Sequence, residues 1–166
     1  MKIFTTIGIF AHVDGGKTTF SEQLLYKKES IRNLGRVDNQ TAFLDCDNIE
    51  KERGITVFAE QASFDYNENK YYIIDTPGHT DFSPEAERTM SALDYAILII
   101  NGSDGVQAHT VTLFRLLENY GVPVFIFVNK CDITGFNIDN TLESIREKLT
   151  EDVLFIDTFE DISKEE

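Results

Sequence analysis

Residues 3–19 join an apolar run to a turn that contains two glycines, a lysine and two threonines. The apolar run is rich in Ile and Phe, which predicts a buried β-strand. Glycines let backbone N–H groups converge on an anion, while Lys17 offers an ammonium to outer phosphates and Thr18 offers a hydroxyl to the Mg2+ of a nucleoside triphosphate. The segment therefore predicts a strand, a phosphate-binding turn and a helix, in that order.

The turn departs at one position from the usual phosphate-loop pattern, G-x-x-x-x-G-K-[ST]. Alanine stands in place of the first glycine. The alternative is an ordinary strand-to-helix turn with a surface lysine, and further motifs in the chain decide between the two. The residues expected to contact the nucleotide here are Ala11, His12, Val13, Asp14, Gly15, Gly16, Lys17, Thr18 and Thr19.

Length and composition bound the class of protein. The 166 residues, 42% of them hydrophobic, are enough for one ordinary globular domain with a substantial core. A formal net charge of -14 opposes wrapping of nucleic acid, so an RNA partner would have to be met by a small patch. The chain has two cysteines, Cys46 and Cys131, no signal-like segment and no apolar run long enough for a bilayer. We therefore expect a cytoplasmic protein without a membrane partner.

Downstream of the turn, the pattern predicts a helix over residues 18–28 and a long polar loop over residues 29–53. Two β-rich runs follow, at 55–66 and 71–74, and the segment 67–70 between them suits a hairpin turn. We therefore expect this hairpin to form an antiparallel edge of the sheet.

An acidic residue, Asp75, stands at the end of the second run and is followed by Thr76, Pro77 and Gly78. In an open α/β sheet the ligand crevice lies at the carboxyl ends of the strands, so Asp75 is placed to hold the water shell of a metal. The N–H of Gly78 can approach the last phosphate, which would make this segment respond to the presence of that phosphate. A plain turn is the alternative for these four residues taken alone.

Two more apolar strands are predicted at 96–100 and 122–128, and the helix between them closes at Gly121. An amphipathic stretch over 141–149 predicts a last helix, and a short apolar segment at 153–156 follows it. The order of elements is that of an α/β domain with a mostly parallel sheet.

The segment Asn129-Lys130-Cys131-Asp132 follows the last of these strands, at the edge where the phosphate-binding turn also lies. The Asp132 carboxylate can accept from both N1–H and the exocyclic amine of guanine, whereas adenine has an acceptor at N1 and would leave the carboxylate unpaired. Lys130 can lie along the purine face, and Asn129 can tie its loop to the phosphate loop. Alone the segment is weak evidence, but three motifs in order, each at a strand end, predict a guanine nucleotide site.

The chain resembles the GTP-binding domain of the translational GTPases over almost its whole length. The matching segments are AHVDGGKTT, Arg53-Gly54-Ile55-Thr56, DTPGH, Asp104-Gly105-Val106-Gln107 and NKCD. Within that group it is similar to elongation factor G. The segment Leu24-Leu25-Tyr26 and the stretches 34–38 and 50–54 make it most similar to the ribosomal protection proteins of tetracycline resistance. The resemblance implies a P-loop NTPase fold of the Ras-like type, with one antiparallel edge strand, and ribosome-stimulated hydrolysis of GTP to GDP and phosphate.

The resemblance also implies roles for residues beyond the phosphate loop. His79 would orient the attacking water, and Thr56 would close over the Mg2+ through its hydroxyl. The implied catalytic residues are His79, Lys17, Thr56 and Asp14. The implied metal ligands are Thr18, Thr56 and Asp75.

The surroundings of His79 follow from the same resemblance. Val13 and Ile55 resemble a hydrophobic gate beside this histidine. Asp14 would hold a monovalent cation or keep the imidazole directed. The other two histidines, His12 and His109, lack such a context, so both are interpreted as structural.

One segment of the family's pattern is missing, because no Ser-Ala pair follows Asp132 at the end of a last strand. We therefore expect residues 1–166 to be a partial GTP-binding domain, truncated at the C-terminus, without the last strand and the downstream domains. A naturally short GTP-binding protein is the alternative. Residues 153–156 are expected either to add a strand beside 122–128 or to leave that edge open to self-association, with weaker binding of GDP.

The favoured role is release of tetracycline from the ribosome by a GTPase. An elongation factor G-like translocase is the first alternative, and a GTP-binding interaction module that no longer cycles is the second. A phosphotransferase that uses ATP is the third. Hydrolysis with and without ribosomes separates cycling from binding, and competition of ATP against GDP tests the third alternative.

Overall fold

The computed structural model of the protein describes residues 3–28, 60–76 and 88–156. Predictions for the loop 29–53 and for Ile55, Thr56, Gly78 and His79 lie outside the described residues. The elements of the described ranges are β1 (Phe4–Ala11), α1 (Lys17–Lys27), β2 (Glu60–Tyr66), β3 (Asn69–Asp75), β4 (Tyr95–Asn101), α2 (Ala108–Asn119), β5 (Val124–Asn129) and α3 (Ile138–Lys148). No helix in these ranges is long and apolar enough to cross a bilayer.

The strands form one sheet in the order β2-β3-β1-β4-β5. β1 runs parallel to both β3 and β4, and β4 runs parallel to β5, whereas β2 pairs antiparallel with β3. The predicted mostly parallel sheet with one antiparallel edge strand is therefore confirmed. Because β1, β3, β4 and β5 are parallel, the residues that follow them all emerge at the same edge of the sheet.

The hairpin turn is shorter than the predicted segment 67–70. It consists of Asn67 and Glu68, which have φ values of 46° and 66°, while Asn69 and Lys70 already pair with β2. Two left-handed residues match the right-handed twist of the flanking strands, so a two-residue turn closes the hairpin without splaying it. The prediction of a hairpin is right, and its four-residue turn is wrong.

Side chains of β1 and β4 alternate between two buried clusters, one on each face of the sheet. Phe10 and Leu98 lie in the cluster that also contains residues of α2 and α3. Ile9 and Ile99 lie in the other cluster, which α1 joins through Leu25. Because helices cover both faces, these central strands are apolar along most of their length.

The helices differ from the predictions mainly at their ends. α3 begins at Ile138, three positions before the predicted start at 141, because the Asn137 side chain accepts the Asn140 N–H at 3.1 Å and caps the helix. α2 ends as predicted before Gly121, which has a φ of 67° and donates its N–H to the Glu118 carbonyl at 2.9 Å.

β5 is the outermost strand on its side of the described sheet. Its Phe125 and Phe127 side chains are 58% and 41% exposed, and residues 153–156 form no strand beside it. Phe127 contacts Phe20 of α1, with ring centroids 4.8 Å apart, which covers part of this aromatic surface. Residues 153–156 were expected either to add a strand beside β5 or to leave its edge open. They do not add a strand.

Candidate nucleotide-binding site

The turn between β1 and α1 is built for close approach of its backbone to a ligand. The Gly15 N–H donates to the His12 carbonyl at 3.0 Å and closes the loop. Asp14 and Gly16 both have left-handed backbones, with φ values of 60° and 89°. A side chain at Gly16 would collide with the amide of Asn129, so glycine is required there by both conformation and space.

The N-terminus of α1 points into this turn. In the described structure no side chain caps the helix, and its first turn carries no acidic residue. The N–H groups of that first turn and the helix dipole therefore favour an anion at this position. Lys17 is buried at the first position of the helix, Thr18 is partly buried beside it in sequence, and Thr19 is exposed.

Lys17 forms a buried ion pair with Asp75 at the end of β3. The Lys17 Nζ lies 2.8 Å from Asp75 Oδ1, and the two side chains are only 7% and 0% exposed. The pairing follows from the sheet, since Ile9 of β1 lies opposite Asp75 in the parallel register. The side chain of Thr76 fastens the same strand end by donating to the Ile9 carbonyl at 2.7 Å. A cation and a carboxylate that are both kept from water therefore meet beside the phosphate loop.

Asn129, the last residue of β5, joins the segment 129–132 to the phosphate loop. Its Nδ2 donates to the Gly15 carbonyl at 2.9 Å, which is the tie between loops that the sequence predicted. Its own carbonyl accepts the Gly102 N–H at 2.8 Å, so the loops after β4 and β5 are also joined. Lys130 follows with a left-handed φ of 58°, and Asp132 is exposed. The Asp132 carboxylate is thus accessible to a ligand base.

The remaining predicted residues occupy the edge of this site. Ala11 is buried at the end of β1, His12 and Val13 are half-buried, and Asp14 is exposed. The structure therefore brings together the phosphate loop, Asp75 and the segment that starts at Asn129. Thr56, Gly78 and His79 lie outside the described residues, so their place in the site stays a prediction.

His109 is a neighbour of the phosphate loop that the sequence did not indicate. Its ring centroid lies 6.1 Å from that of His12, and the two rings are tilted by 58°. His109 lies in the first turn of α2, and the loop before that helix follows β4, the parallel neighbour of β1. Strand order was the signal that could have suggested this contact, because both segments emerge at the same edge.

Comparison with known proteins agrees with this arrangement. The family described as the elongation factor Tu GTP binding domain matches residues 2–163. The tetracycline resistance protein TetP of Clostridium perfringens is 43% identical over 162 residues, which are 98% of this chain and 25% of that protein. TetM from transposon Tn916 of Enterococcus faecalis is 46% identical over 154 residues, or 93% of this chain and 24% of that protein.

A solved structure gives the same result for the fold. The chain matches a crystal structure of a protein from Thermus thermophilus with a TM-score of 0.84 and 30% identity, over 89% of this chain and 22% of that one. The chain thus spans about a quarter of the length of the curated relatives named above, at 25% and 24%. Family match, fold and joined motifs lead to one conclusion: the chain belongs to the family of elongation factor Tu GTP-binding domains.

Proposed function

We propose that this chain binds GTP and GDP and hydrolyses GTP, as the GTP-binding part of a cytoplasmic factor that acts on the ribosome in tetracycline resistance. The observation that carries the proposal is the hydrogen bond from Asn129 to the Gly15 carbonyl. It joins the loop suited to guanine and the loop suited to phosphate in one site, with the buried Lys17 and Asp75 pair beside them.

The phosphates bind to the turn and to the N-terminus of α1. The backbone N–H groups around Gly15 and Gly16 and the uncapped helix end contact the phosphate oxygens. Lys17 neutralises the outer phosphates, and Asp75 holds its ammonium in reach of them.

The residues beside the phosphate loop fit a magnesium ion. Mg2+ prefers oxygen ligands and keeps several waters, and the Thr18 hydroxyl and the Asp75 carboxylate supply oxygens from α1 and β3, which contact each other. Thr56 is the further proposed ligand. When bound, the metal neutralises charge on the phosphates. Chelation of Mg2+ is expected to weaken GTP binding to the chain, measured by fluorescence titration.

The base binds at the end of β5. The exposed Asp132 carboxylate accepts two hydrogen bonds from guanine, and Lys130 lies along the face of the purine. Asn129 keeps this loop at a fixed distance from the phosphates. This arrangement favours GTP over ATP, because adenine lacks the two donors that Asp132 needs.

Hydrolysis is assigned to His79, which orients the attacking water in the complex with the ribosome. Thr56, Val13 and Ile55 support that geometry, and Asp14 holds a monovalent cation or directs His79. His79→Ala is expected to leave GDP binding intact and to lower ribosome-stimulated turnover by about two orders of magnitude or more. Turnover that survives the change would remove His79 from this role.

The physiological role is supported by the relatives, which are named as tetracycline resistance proteins. A translocation factor similar to elongation factor G and a module that binds GTP without cycling are the alternatives. GTP hydrolysis measured with and without ribosomes tests the proposal. Stimulation by ribosomes supports a cycling factor, whereas binding without turnover under both conditions supports the module. Release of labelled tetracycline from ribosomes by the parent protein separates drug protection from translocation.

Self-association is the second proposal, and it concerns the open side of β5. Phe125 and Phe127 are exposed there, and Leu154, Phe155 and Ile156 form a second exposed apolar group in the same chain. An edge strand with exposed aromatic side chains tends to pair with another strand. We propose that a second copy of the chain pairs along this edge.

A further inference from the structure

The phosphate loop rests against α2 through a contact between two histidines. The rings of His12 and His109 lie 6.1 Å apart, and His109 is 8% exposed. The backbone carbonyl of the same His12 accepts the Gly15 N–H that closes the loop. A displacement of His12 would therefore move the turn whose N–H groups face the phosphates.

No hydrogen bond to Nδ1 fixes the His12 side chain within the described part of the structure. Its Nδ1 is buried and has no hydrogen-bond partner among the described residues. An unsatisfied buried polar atom costs free energy and gives the ring no directional contact on that side, so packing against its neighbours contributes to its orientation. The neighbouring ring of His109 is then a determinant of where His12 lies.

The position of His109 depends in turn on how α2 begins. Val106, three residues earlier, is buried, and both of its backbone polar groups bind to α3. Its N–H donates to Ser144 Oγ at 3.3 Å, and its carbonyl accepts from Lys148 Nζ at 3.0 Å. α3, which is remote in sequence, therefore holds the backbone of Val106 at both its N–H and its carbonyl.

Two further contacts fix the loop that leads into α2. The Thr141 hydroxyl of α3 lies between two carbonyl acceptors, that of Gly102 at 3.2 Å and that of Asn137 at 3.0 Å, one helical turn from Ser144 on the same face. Gln107, the N-cap residue of α2, donates its side-chain amide to the Asp104 carbonyl at 2.8 Å. The loop is therefore held along its length, and α2 starts from a fixed point.

We propose that His109 is a positioning residue for the phosphate loop, and that Ser144 and Lys148 of α3 set its position through Val106. The inference rests on the proposed nucleotide binding and adds residues of α2 and α3 that do not contact the nucleotide. Loss of the His109 ring lets His12 and the Gly15 turn shift, so bound GDP leaves faster. If His109 only filled space, its removal would lower the stability of the fold and leave the rate of GDP release unaltered.

The test measures the dissociation rate of N-methylanthraniloyl-GDP from the intact chain. We expect His109→Ala to accelerate dissociation about tenfold, a typical size for residues that couple through contact. His109→Phe keeps a ring against His12 and should restore most of the slow rate. The double variant of His12→Ala with His109→Ala should be no faster than His12→Ala alone. Additive effects of the two changes would overturn the coupling.

Leu117→Ala is the matched control on α2. Leu117 is fully buried and lies eight residues further along the helix, about 12 Å away. The control should lower the unfolding temperature and leave GDP dissociation unchanged. An equal acceleration in Leu117→Ala would reduce the effect of His109 to general destabilisation and overturn the proposal.

The α3 part of the proposal is tested with surface side chains, which keep the fold intact. Lys148→Met removes the donor to Val106 and retains the stem, so dissociation should accelerate about threefold or more, in the range of one typical net hydrogen bond. Arg146→Met changes an exposed cation of the same helix and should have no effect. An unchanged rate in Lys148→Met would overturn this part even if His109→Ala failed to fold.

The same assay separates failure of this inference from failure of the proposed function. Lys17→Ala should abolish binding of the labelled GDP. If the unaltered chain binds, Lys17→Ala does not, and His109→Ala releases GDP at the original rate, the positioning role is wrong and nucleotide binding stands. If the unaltered chain does not bind labelled GDP, both fail.

Discussion

In the proposed site the choice of base depends on one carboxylate, that of Asp132, which is exposed just beyond the end of β5. Asp132→Asn replaces an acceptor by an amide that can donate to the carbonyl that xanthine carries in place of guanine's amine. We expect GDP affinity to fall at least about a hundredfold and the affinity for xanthosine diphosphate to rise. Competition of each nucleotide against fluorescent GDP measures the two changes.

Asp152→Asn is the control for this prediction, because it removes an exposed carboxylate outside the site. It should leave both affinities as they are. An equal loss of both nucleotides in Asp132→Asn would mean that Asp132 supports the loop without contacting the base.

The Lys17 and Asp75 pair also has a consequence for stability. Both side chains are almost fully buried, so removal of the ammonium leaves a carboxylate in a site with little water. We expect Lys17→Met to lower the free energy of unfolding by about 3 kcal/mol, since broken buried pairs cost about that much. Addition of Asp75→Asn to that variant should recover part of the loss, because the neutral amide costs less to bury.

Urea unfolding measures these stabilities, with Lys27→Met as the control on the exposed side of the same helix. The control should be within about 0.5 kcal/mol of the unaltered chain. If Lys17→Met were as stable as that control, the buried pair would have no energetic importance for the fold.

At the scale of elements, the sequence was sufficient where a pattern is local. The apolar runs of β1 and β4 and the glycine that ends α2 predicted those elements directly, because burial on both faces and a left-handed closing residue each leave a clear trace. The run of β5 predicted a strand as well, although two of its aromatic side chains are exposed. The predictions were less accurate at the hairpin turn and at the start of α3. Each boundary depends on one polar residue. Asn67 adopts the left-handed backbone that closes the hairpin, and the Asn137 side chain caps α3.

The open side of β5 gives a prediction at the same scale. We expect light scattering to show an apparent mass that rises with protein concentration, and more so at higher salt, because a net charge of -14 makes copies repel each other. Phe125→Lys places a charge on the exposed face of the edge strand and should restore the monomer.

Tyr26→Lys is the comparison for that experiment, since Tyr26 is a similarly exposed aromatic residue on α1. It should self-associate like the unaltered chain. A chain that stays monomeric at every concentration and salt level would show that the aromatic edge does not recruit a second copy.

At the scale of the whole molecule, strand order explains how far the site could be predicted. Motifs that each follow a parallel strand must emerge at one edge, so the meeting of Lys17, Asp75 and Asn129 could be expected from the sequence. Strand order also brings the segments of His12 and His109 to that edge, but it does not specify that these two rings meet. The binding of Val106 by α3 could not be expected, because it depends on which face of α3 meets the loop before α2, and no local pattern of residues specifies that.

The central claim is that the joined loops form a site for guanine nucleotides, and calorimetric titration of the chain tests it most directly. With Mg2+ present, we expect GDP to bind at one site per chain and ADP to bind at least about a hundredfold more weakly, because adenine lacks the donors that Asp132 accepts. The same titration on Lys17→Ala should show no binding of GDP. Equal affinity for GDP and ADP, or binding of GDP that survives Lys17→Ala, would contradict the account.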